Sequence, residues 1–324
     1  MEEMNVSEFM EERKIVIFGG SGSFGTAMTR KILENYDNDI IIFSRNEKMQ
    51  FEHKEKFKND RIRYVIGDIR DYKAVYDVLE GVDAVLLASA MKHIDKCEKN
   101  PDECRKTNID GCINVINASI KRGVKKLVFL STDKATNPST LYGMSKLFVE
   151  TYIKCVDNKN TKLITTRYGN VLFSNGSVGH IFNKLAKEGK SLTVTTNENG
   201  ESHRRFFMTI NQAVDLVEYA LQNGKHGDLW VYNNKQCNIE KLARAFSDNI
   251  EYIKERCVEK TDEALLTVNE LNHSVLYPHN FIRVSDDIDV ISDHEKPFTS
   301  ETAEELSDEE LKEMIEESKK MGMI

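Results

Sequence analysis

Short apolar runs alternate with longer segments of helical periodicity through the first half of the chain. Each run is a few residues long and is bounded by polar residues or glycine, which is typical of buried parallel strands. One intervening helix ends near Asn35 and another spans Asn108–Ile120. The runs themselves are Lys14–Phe18, Ile40–Phe43, Tyr64–Ile66, Asp83–Ala88, Leu127–Leu130 and Leu163–Tyr168. The pattern predicts an α/β fold, a Rossmann-type doubly wound parallel sheet with helices on both faces.

Beyond about Asn170 the regular alternation stops. Residues 193–210 predict a strand, a polar loop and a second strand. Helices are predicted at Val178–Glu188, Gln212–Leu221 and Ile239–Phe246, and a capping box at Ser307–Glu310 predicts a last, highly charged surface helix to about Ser318. We therefore predict an N-terminal extension (1–12), a Rossmann domain (13–170) and a smaller mixed α/β substrate lobe (171–324), some segments of which return to the Rossmann domain.

Composition narrows the class of protein. The 324 residues are 40% hydrophobic and 30% charged, with a net charge of −8 and no basic stripe, so a nucleic-acid partner is not expected. No apolar run approaches the roughly 20 residues of a membrane helix, and the acidic N-terminus does not resemble a secretory signal. The six cysteines form no CxxC pair. We expect a cytoplasmic protein with reduced thiols, no membrane insertion and no metal site.

A glycine-rich turn follows the first predicted strand. Gly19, Gly22 and Gly25 lie in IVIFGGSGSFG, and a helix is predicted to start at once, with Ser23 and Phe24 in its first turn. Glycines there allow a tight turn and close approach to a pyrophosphate, which the amides at the helix N-terminus can bind. A purely structural turn is the alternative, but the position between strand and helix favours a dinucleotide site.

The end of the second strand indicates which dinucleotide. NAD enzymes usually place an acid there to bind the ribose 2′-hydroxyl, whereas this chain has Ser44 and Arg45. Arginine matches a phosphate in a bidentate manner, so we predict NADP, with Lys48 as a possible further contact. An exposed loop arginine is the alternative. Asp68, after the third strand, is positioned for the adenine edge.

Tyr142 and Lys146 stand four residues apart after the fifth strand, so on a helix they share one face. A neighbouring ammonium and a nicotinamide cation would lower the pKa of the phenol. Such a phenolate can take a proton from an alcohol while hydride leaves to the nicotinamide.

Several longer motifs extend this pattern. They are GGSGSFG (19–25), FSRNE (43–47), ASAMKHIDKCEKNP (88–101), KTNIDG (106–111), LSTDKATNPSTLYGMSK (130–146), TRYGNVLFSNGSV (166–178) and RRFFMTI (204–210). In this order they resemble the extended short-chain dehydrogenases/reductases that act on nucleotide sugars. More narrowly, the chain is similar to the inverting UDP-N-acetylglucosamine 4,6-dehydratases of polysaccharide biosynthesis.

The resemblance implies a role for the Thr132-Asp133-Lys134 segment. Tyr142 would help oxidise the sugar at C4, Lys134 would remove the C5 proton, and Asp133 would protonate the departing C6 hydroxyl. Hydride then returns to C6, and reprotonation of C5 from the opposite face inverts that centre. A surface pair between Asp133 and Lys134 is the alternative that the residues alone leave open.

The resemblance also implies further binding residues. For the cofactor they are Ile69, Ala88, Ser89, Ala90, Lys92 and Tyr168, together with Tyr142 and Lys146. For a UDP-sugar they are Lys92, Asn170, Ser177, Val178, Arg205, Arg256 and Glu259. Lys260 and Glu263 match the same weaker motif as Arg256, and for these two a solvated surface charge is a serious alternative.

The chain departs from the family on the substrate side. Asn175 stands where an arginine is usual, Phe173 and Val258 stand where glycines are usual, and the 196–204 loop is longer. The family's habit implies a homo-oligomer, a dimer or a hexamer. Two alternatives stay open. One is a UDP-sugar 4-epimerase or 4-reductase, and the other is a catalytically silent NADP-binding protein, which the altered substrate side keeps open. The Asp133-Lys134 pair argues against the first, and Tyr142 with Lys146 argues against the second.

Overall fold

A computed structural model describes residues 13–158, 160–256, 259–290 and 293–324. Its strands are β1 (Lys14–Phe18), β2 (Asp39–Ser44), β3 (Ile62–Ile66), β4 (Ala84–Leu87), β5 (Lys126–Leu130), β6 (Lys162–Arg167), β7 (Asn170–Val171), β8 (Leu192–Thr196), β9 (Arg204–Met208), β10 (Leu229–Tyr232), β11 (Gln236–Asn238), β12 (Ile250–Lys254), β13 (Ala264–Leu266), β14 (Ser274–Tyr277), β15 (Phe281–Val284) and β16 (Phe298–Thr299).

The helices are α1 (Ser23–Asn35), α2 (Glu47–Phe57), α3 (Tyr72–Val78), α4 (Ile94–Lys99), α5 (Pro101–Arg105), α6 (Cys112–Arg122), α7 (Leu141–Cys155), α8 (Val178–Lys187), α9 (Ile210–Asn223), α10 (Ile239–Arg244), α11 (Val268–Asn272) and α12 (Asp308–Lys320). A π-helical turn, Lys106–Gly111, precedes α6 and overlaps the start of the predicted Asn108–Ile120 helix. No helix of the described residues is long and apolar enough to cross a membrane.

The central sheet confirms the predicted α/β fold. All six predicted strands pair in parallel, in the order β6-β5-β4-β1-β2-β3. Their side chains alternate between two apolar layers: Ile15 and Ile17 face α1 and α9, whereas Val16 and Phe18 face α3, α6 and α7. Because both faces are covered, the central strands β1, β4 and β5 are apolar after their first residue or throughout.

Three strands from the second half of the chain extend this sheet beyond β6. β10 pairs in parallel with β6, and β15 and β14 follow in antiparallel order. None of the three is predicted by the hydrophobic pattern as a separate strand. They lie in the part of the chain where the regular alternation of apolar runs and helical segments stops.

A third apolar cluster lies outside the central sheet, between α8, α10, α12 and strands β8 and β9. The predicted capping box of α12 is confirmed, since Ser307 and Glu310 cap each other's backbone amides. The prediction of a surface helix holds for its charged side only. Leu311, Met314 and Ile315 are buried against the third cluster.

Candidate active site

A cleft of about 720 Å³ runs along the carboxyl ends of the parallel strands. In doubly wound sheets this edge is where ligands bind. Predicted site residues that line it are Gly19, Gly22, Ser23, Phe24, Ser44, Arg45, Ile69, Ala88, Ser89, Ala90, Lys92, Thr132, Lys134, Tyr142, Lys146, Tyr168, Asn170 and Ser177. Those outside the lining are Gly25, Lys48, Asp68, Asp133, Val178, Arg205, Arg256 and Glu259.

The glycine-rich turn forms the floor of one end of the cleft. Gly19 has a φ of +80°, and a Cβ there would lie 3.0 Å from the Ser89 nitrogen. A Cβ on Gly25 would lie 2.2 Å from the Gly20 carbonyl oxygen, so this glycine lets α1 pack onto the turn. No side chain caps the N-terminus of α1. Its first amides are therefore available to an anion.

The Ser44 hydroxyl is held from two sides at the end of β2. It lies 2.9 Å from the Ser21 hydroxyl, and the Gln50 amide nitrogen donates to it at 3.0 Å. Gln50 also donates to the Val65 carbonyl and is buried, a position that its polar side chain gave no reason to expect.

Arg45 is half exposed beside the cleft. One guanidinium nitrogen lies 3.6 Å from an Asp68 carboxylate oxygen. Arg70, which the sequence did not single out, binds the same carboxylate through two nitrogens, at 2.9 and 2.6 Å. Lys48 is exposed and pairs with Glu52 on its own helix. The Asp68 carboxylate therefore orients the Arg45 guanidinium, which stays half exposed at this end of the cleft.

Asp133 is fully buried at the turn that follows β5. One of its oxygens accepts from the Thr132 hydroxyl at 2.9 Å and from the Lys134 ammonium at 3.1 Å. The other, Oδ2, is buried without a hydrogen-bond partner. An unpaired buried carboxylate oxygen is costly, so this atom is one that a bound group would satisfy.

Tyr142 and Lys146 lie on the first two turns of α7, which Thr140 caps. The Lys146 ammonium donates to the Leu130 carbonyl at 2.8 Å and lies over the Phe129 ring. Burial lowers the pKa of Lys146. Burial also raises the pKa of Tyr142, as does the charge of Asp133, while a hydrogen bond with Thr132 opposes them. The lowering of the Tyr142 pKa by an ammonium together with a nicotinamide cation stays a prediction.

Two buried polar contacts fix α7, and neither was predicted. Asn108 donates to the Met91 carbonyl and to the Ser145 hydroxyl, at 2.9 and 3.1 Å, and so joins the loop after β4 to α7. Arg167, at the end of β6, binds Glu150 of α7 and Glu270 of α11, with nitrogen–oxygen distances of 2.5 and 3.0 Å. A buried arginine is rarely found without a charged partner. The partners here lie 17 and 103 residues away, so no local pattern in the sequence indicates them.

Residues predicted to bind the sugar nucleotide are spread around the other end of the cleft. Lys92 lines it, and burial lowers the pKa of its ammonium. Its side chain reaches solvent through the open side of the cleft. Asn170 donates to the Phe206 carbonyl, and Ser177 caps α8, which begins at Val178.

The predicted arginines of this end are engaged elsewhere. Arg205 donates to the backbone carbonyls of Lys260 and Thr261, at 2.7 and 2.8 Å. Arg256 is exposed and pairs with Asp95 and, at 3.9 Å, with Glu259. Lys260 donates to the Asn137 carbonyl, so its charge is not simply solvated.

The departures in the 170–178 loop have structural counterparts. Phe173, where a glycine is usual in the family, has a φ of +62° and a buried ring that packs against Phe246. The Asn175 amide donates to the Ser23 hydroxyl at 3.0 Å and so ties this loop to the start of α1. The predicted Val258 departure lies outside the described residues.

The sheet, the glycine-rich turn and the Tyr142-Lys146 helix face together define a short-chain dehydrogenase/reductase. The family described as "Polysaccharide biosynthesis protein" matches residues 15–284, and the chain belongs to it.

Two relatives and one solved structure are similar to this chain over most of its length. A Campylobacter jejuni protein named UDP-N-acetylglucosamine 4,6-dehydratase (inverting) is 38% identical over 89% of this chain and 86% of that protein. A Rickettsia canadensis protein named UDP-glucose 4-epimerase is 34% identical over 94% of this chain and 95% of its own. The structure of Pen from Bacillus thuringiensis has a TM-score of 0.86 and 33% identity, covering 94% of this chain and 98% of that one.

Proposed function

We propose that the protein is an NADP-dependent nucleotide-sugar 4,6-dehydratase, acting on UDP-N-acetylglucosamine with inversion at C5. The observation that carries the proposal is the Asp133-Lys134 pair beside the Tyr142-Lys146 helix face. Lys134, Tyr142 and Lys146 line one cleft, and Asp133 holds the Lys134 ammonium at 3.1 Å. The name of the Campylobacter relative supports the reaction and the sugar.

The residues fit a dinucleotide. Gly19 and Gly22 line the cleft, Gly25 lets α1 pack closely onto the turn, and the uncapped N-terminus of α1 suits a pyrophosphate. Arg45 at the end of β2, with no acid in the position that binds a 2′-hydroxyl, supports a 2′-phosphate and hence NADP. When bound, NADP supplies the redox chemistry, accepting hydride from C4 and returning it to C6.

The chain's own residues supply the proton transfers. Tyr142 takes the proton of the C4 hydroxyl as that carbon is oxidised to a ketone, which makes the C5 proton acidic. Lys134 then removes the C5 proton, and Asp133 donates a proton to the C6 oxygen as the C6–O bond breaks and water leaves. Reprotonation of C5 from the opposite face gives a UDP-4-keto-6-deoxy-N-acetylhexosamine, a precursor for glycan synthesis.

A 4-epimerase is the second candidate, because relatives of similar identity carry that name. An epimerase needs Tyr142 and Lys146 but no elimination pair. The buried, unpartnered Asp133 oxygen therefore favours the dehydratase. A 4-reductase is disfavoured on the same ground. A silent NADP-binding protein is disfavoured because it would not need the Asp133-Lys134 pair.

One assay separates these candidates. The protein is incubated with UDP-N-acetylglucosamine and NADP, and the products are analysed by mass and by the absorbance of a 4-keto sugar. A dehydratase gives a product lighter by one water without a net demand for NADPH. A mass-neutral isomer would indicate the epimerase, and unchanged substrate would contradict both enzymes.

We also propose that the protein works as a cytoplasmic homo-oligomer. Met144, Leu147 and Phe148 form an exposed apolar face on α7, with exposures of 50%, 36% and 49%. Exposed apolar patches of this kind mark association surfaces. Light scattering after size-exclusion chromatography should give a dimer or hexamer, and Phe148→Glu should lower its mass.

A further inference from the structure

Glu263 is a buried carboxylate outside the residues assigned so far. It is 7% exposed, although the sequence left a solvated surface charge as a serious alternative. One of its carboxylate oxygens lies 3.8 Å from the Lys134 ammonium. Within the described part of the chain, Lys134 is the only cation within ion-pair distance of this carboxylate. The Lys134 ammonium therefore lies between two carboxylates, those of Asp133 and Glu263.

The backbone around Glu263 is held firmly. Its amide donates to the Ser300 hydroxyl at 3.1 Å, and the Ser300 amide donates to the Glu263 carbonyl at 2.8 Å. Two residues further on, the Leu265 carbonyl accepts from Thr136 at 3.2 Å and from Arg167 at 3.0 Å. Thr136 directly follows the turn that carries Asp133 and Lys134, so Glu263 and Lys134 are fixed relative to each other.

Burying a carboxylate is costly unless it is paired, and no hydrogen bond to the Glu263 side chain offsets that cost within the described residues. The ion pair with Lys134 is the interaction that offsets this cost. We propose that Glu263 is a positioning residue for the elimination step: it holds the Lys134 amine in place and stabilises the ammonium formed when Lys134 takes the C5 proton. This inference rests on the proposed dehydratase function.

Asp133 alone cannot balance the charge of the Lys134 ammonium during the elimination. In the reactive state Asp133 carries the proton that it will give to the C6 oxygen, so it is neutral. The C5–H bond breaks, its electrons form the enolate of the C4 ketone, and the proton makes a new N–H bond on Lys134. Until Asp133 has given up its proton, Glu263 is the adjacent negative charge that balances the new ammonium. Glu263 itself neither gains nor loses a proton.

The test separates the redox step from the elimination step. Glu263→Gln keeps the shape of the side chain and removes its charge. Oxidation at C4 should proceed at the wild-type rate, while loss of water slows about 10- to 100-fold, within the range that acid–base groups contribute. Reduced nicotinamide should therefore accumulate in the variant, which absorbance in a stopped-flow instrument detects, while mass spectrometry follows the loss of water.

Two further variants complete the design. Glu263→Asp keeps the charge and should recover part of the elimination rate. Glu301→Gln removes an exposed carboxylate nearby and should behave as wild type. A Glu263→Gln protein that loses water at the wild-type rate, or that slows both steps equally, overturns the inference.

If Glu263→Gln does not fold, Glu263→Ala, which also removes the charge, takes its place: selective slowing of water loss supports the inference, and unchanged or equally slowed steps refute it. A wild-type protein that isomerises the sugar without losing water instead overturns the proposed function, and this inference with it.

Discussion

Lys134 has surroundings that a surface lysine lacks. Its side chain is 16% exposed, and it lies within 4.0 Å of two carboxylates while lining the same cleft as Tyr142. A cation held in this way has little freedom to turn towards solvent. Its position, more than its identity, distinguishes it as a base from the many other lysines of the chain.

Lys134→Ala should abolish the loss of water and leave cofactor binding unchanged. Removing a general base costs about 100- to 10,000-fold in rate. Mass spectrometry of the product and a fluorescence titration with NADPH measure the two properties. Lys125→Ala, at the opposite end of β5, is the matched control and should retain wild-type turnover. Turnover retained by Lys134→Ala would exclude this residue as the base.

Arg45→Ala should weaken NADP binding about 10- to 100-fold and change NAD binding little, because only NADP carries the 2′-phosphate that a guanidinium can bind. Calorimetric titration with each dinucleotide checks this. Arg63→Ala removes an exposed arginine of β3 and serves as the control. Equal weakening of both dinucleotides would show that Arg45 does not read the 2′-phosphate.

Helix α7 carries the reactive side chains Tyr142 and Lys146, and an ion pair at Glu150 anchors its C-terminal half. Tyr142, Lys146 and Glu150 follow one another at intervals of four and so share one face. Glu150 binds Arg167, which also binds Glu270 in α11. The helix is thereby joined to a segment more than 100 residues later in the chain.

Arg167→Met should lower the free energy of unfolding by about 3–5 kcal/mol, because it leaves two buried carboxylates without a cation. Chemical denaturation followed by circular dichroism measures the change. Arg244→Met, which removes a surface pair with Glu240, should cost less than about 1 kcal/mol. Similar losses in the two variants would contradict the importance assigned to the buried network.

The sequence could predict elements whose signal is local. The six parallel strands, the glycine-rich turn and the α12 capping box each lie within a dozen residues and follow from period, turn chemistry or capping. Gln50, Arg167 and Glu263 could not be assigned, since their roles depend on partners 15 to about 130 residues away. β10, β15 and β14 were missed for a related reason, because each is a strand through pairing with a distant segment: β10 with β6, β15 with β10, and β14 with β15.

For the whole molecule, a buried histidine links stability to pH. His53 lies against Phe57 and Tyr64, and its Nδ1 is 2.8 Å from the Tyr64 hydroxyl. Burial, with a smaller effect of Lys56, lowers the pKa of His53 from 6.5 to about 4. The unfolded chain therefore binds a proton at higher pH than the folded one, and stability contributed by the neutral ring is lost as pH falls from 6.5 towards 4.

The His53 contribution to this pH dependence should be about 2 kcal/mol after allowance for solvent screening. His53→Gln should flatten the fall in unfolding free energy between pH 6.5 and 4, measured by urea denaturation at several pH values. His294→Gln alters an exposed histidine and should leave the wild-type curve unchanged. A His53→Gln curve as steep as that of wild type would rule out this assignment.

The order of strands in the central sheet has a consequence for biosynthesis. One neighbour of β6 is β5, but the other is β10, and β15 lies beyond it. While the ribosome is still translating the segment before β10, the β6 edge has emerged with its amides and carbonyls unpaired, and such edges invite aggregation. Nascent chains should therefore require chaperone protection until β10 and β15, which ends at Val284, have been translated and can extend the sheet beyond β6.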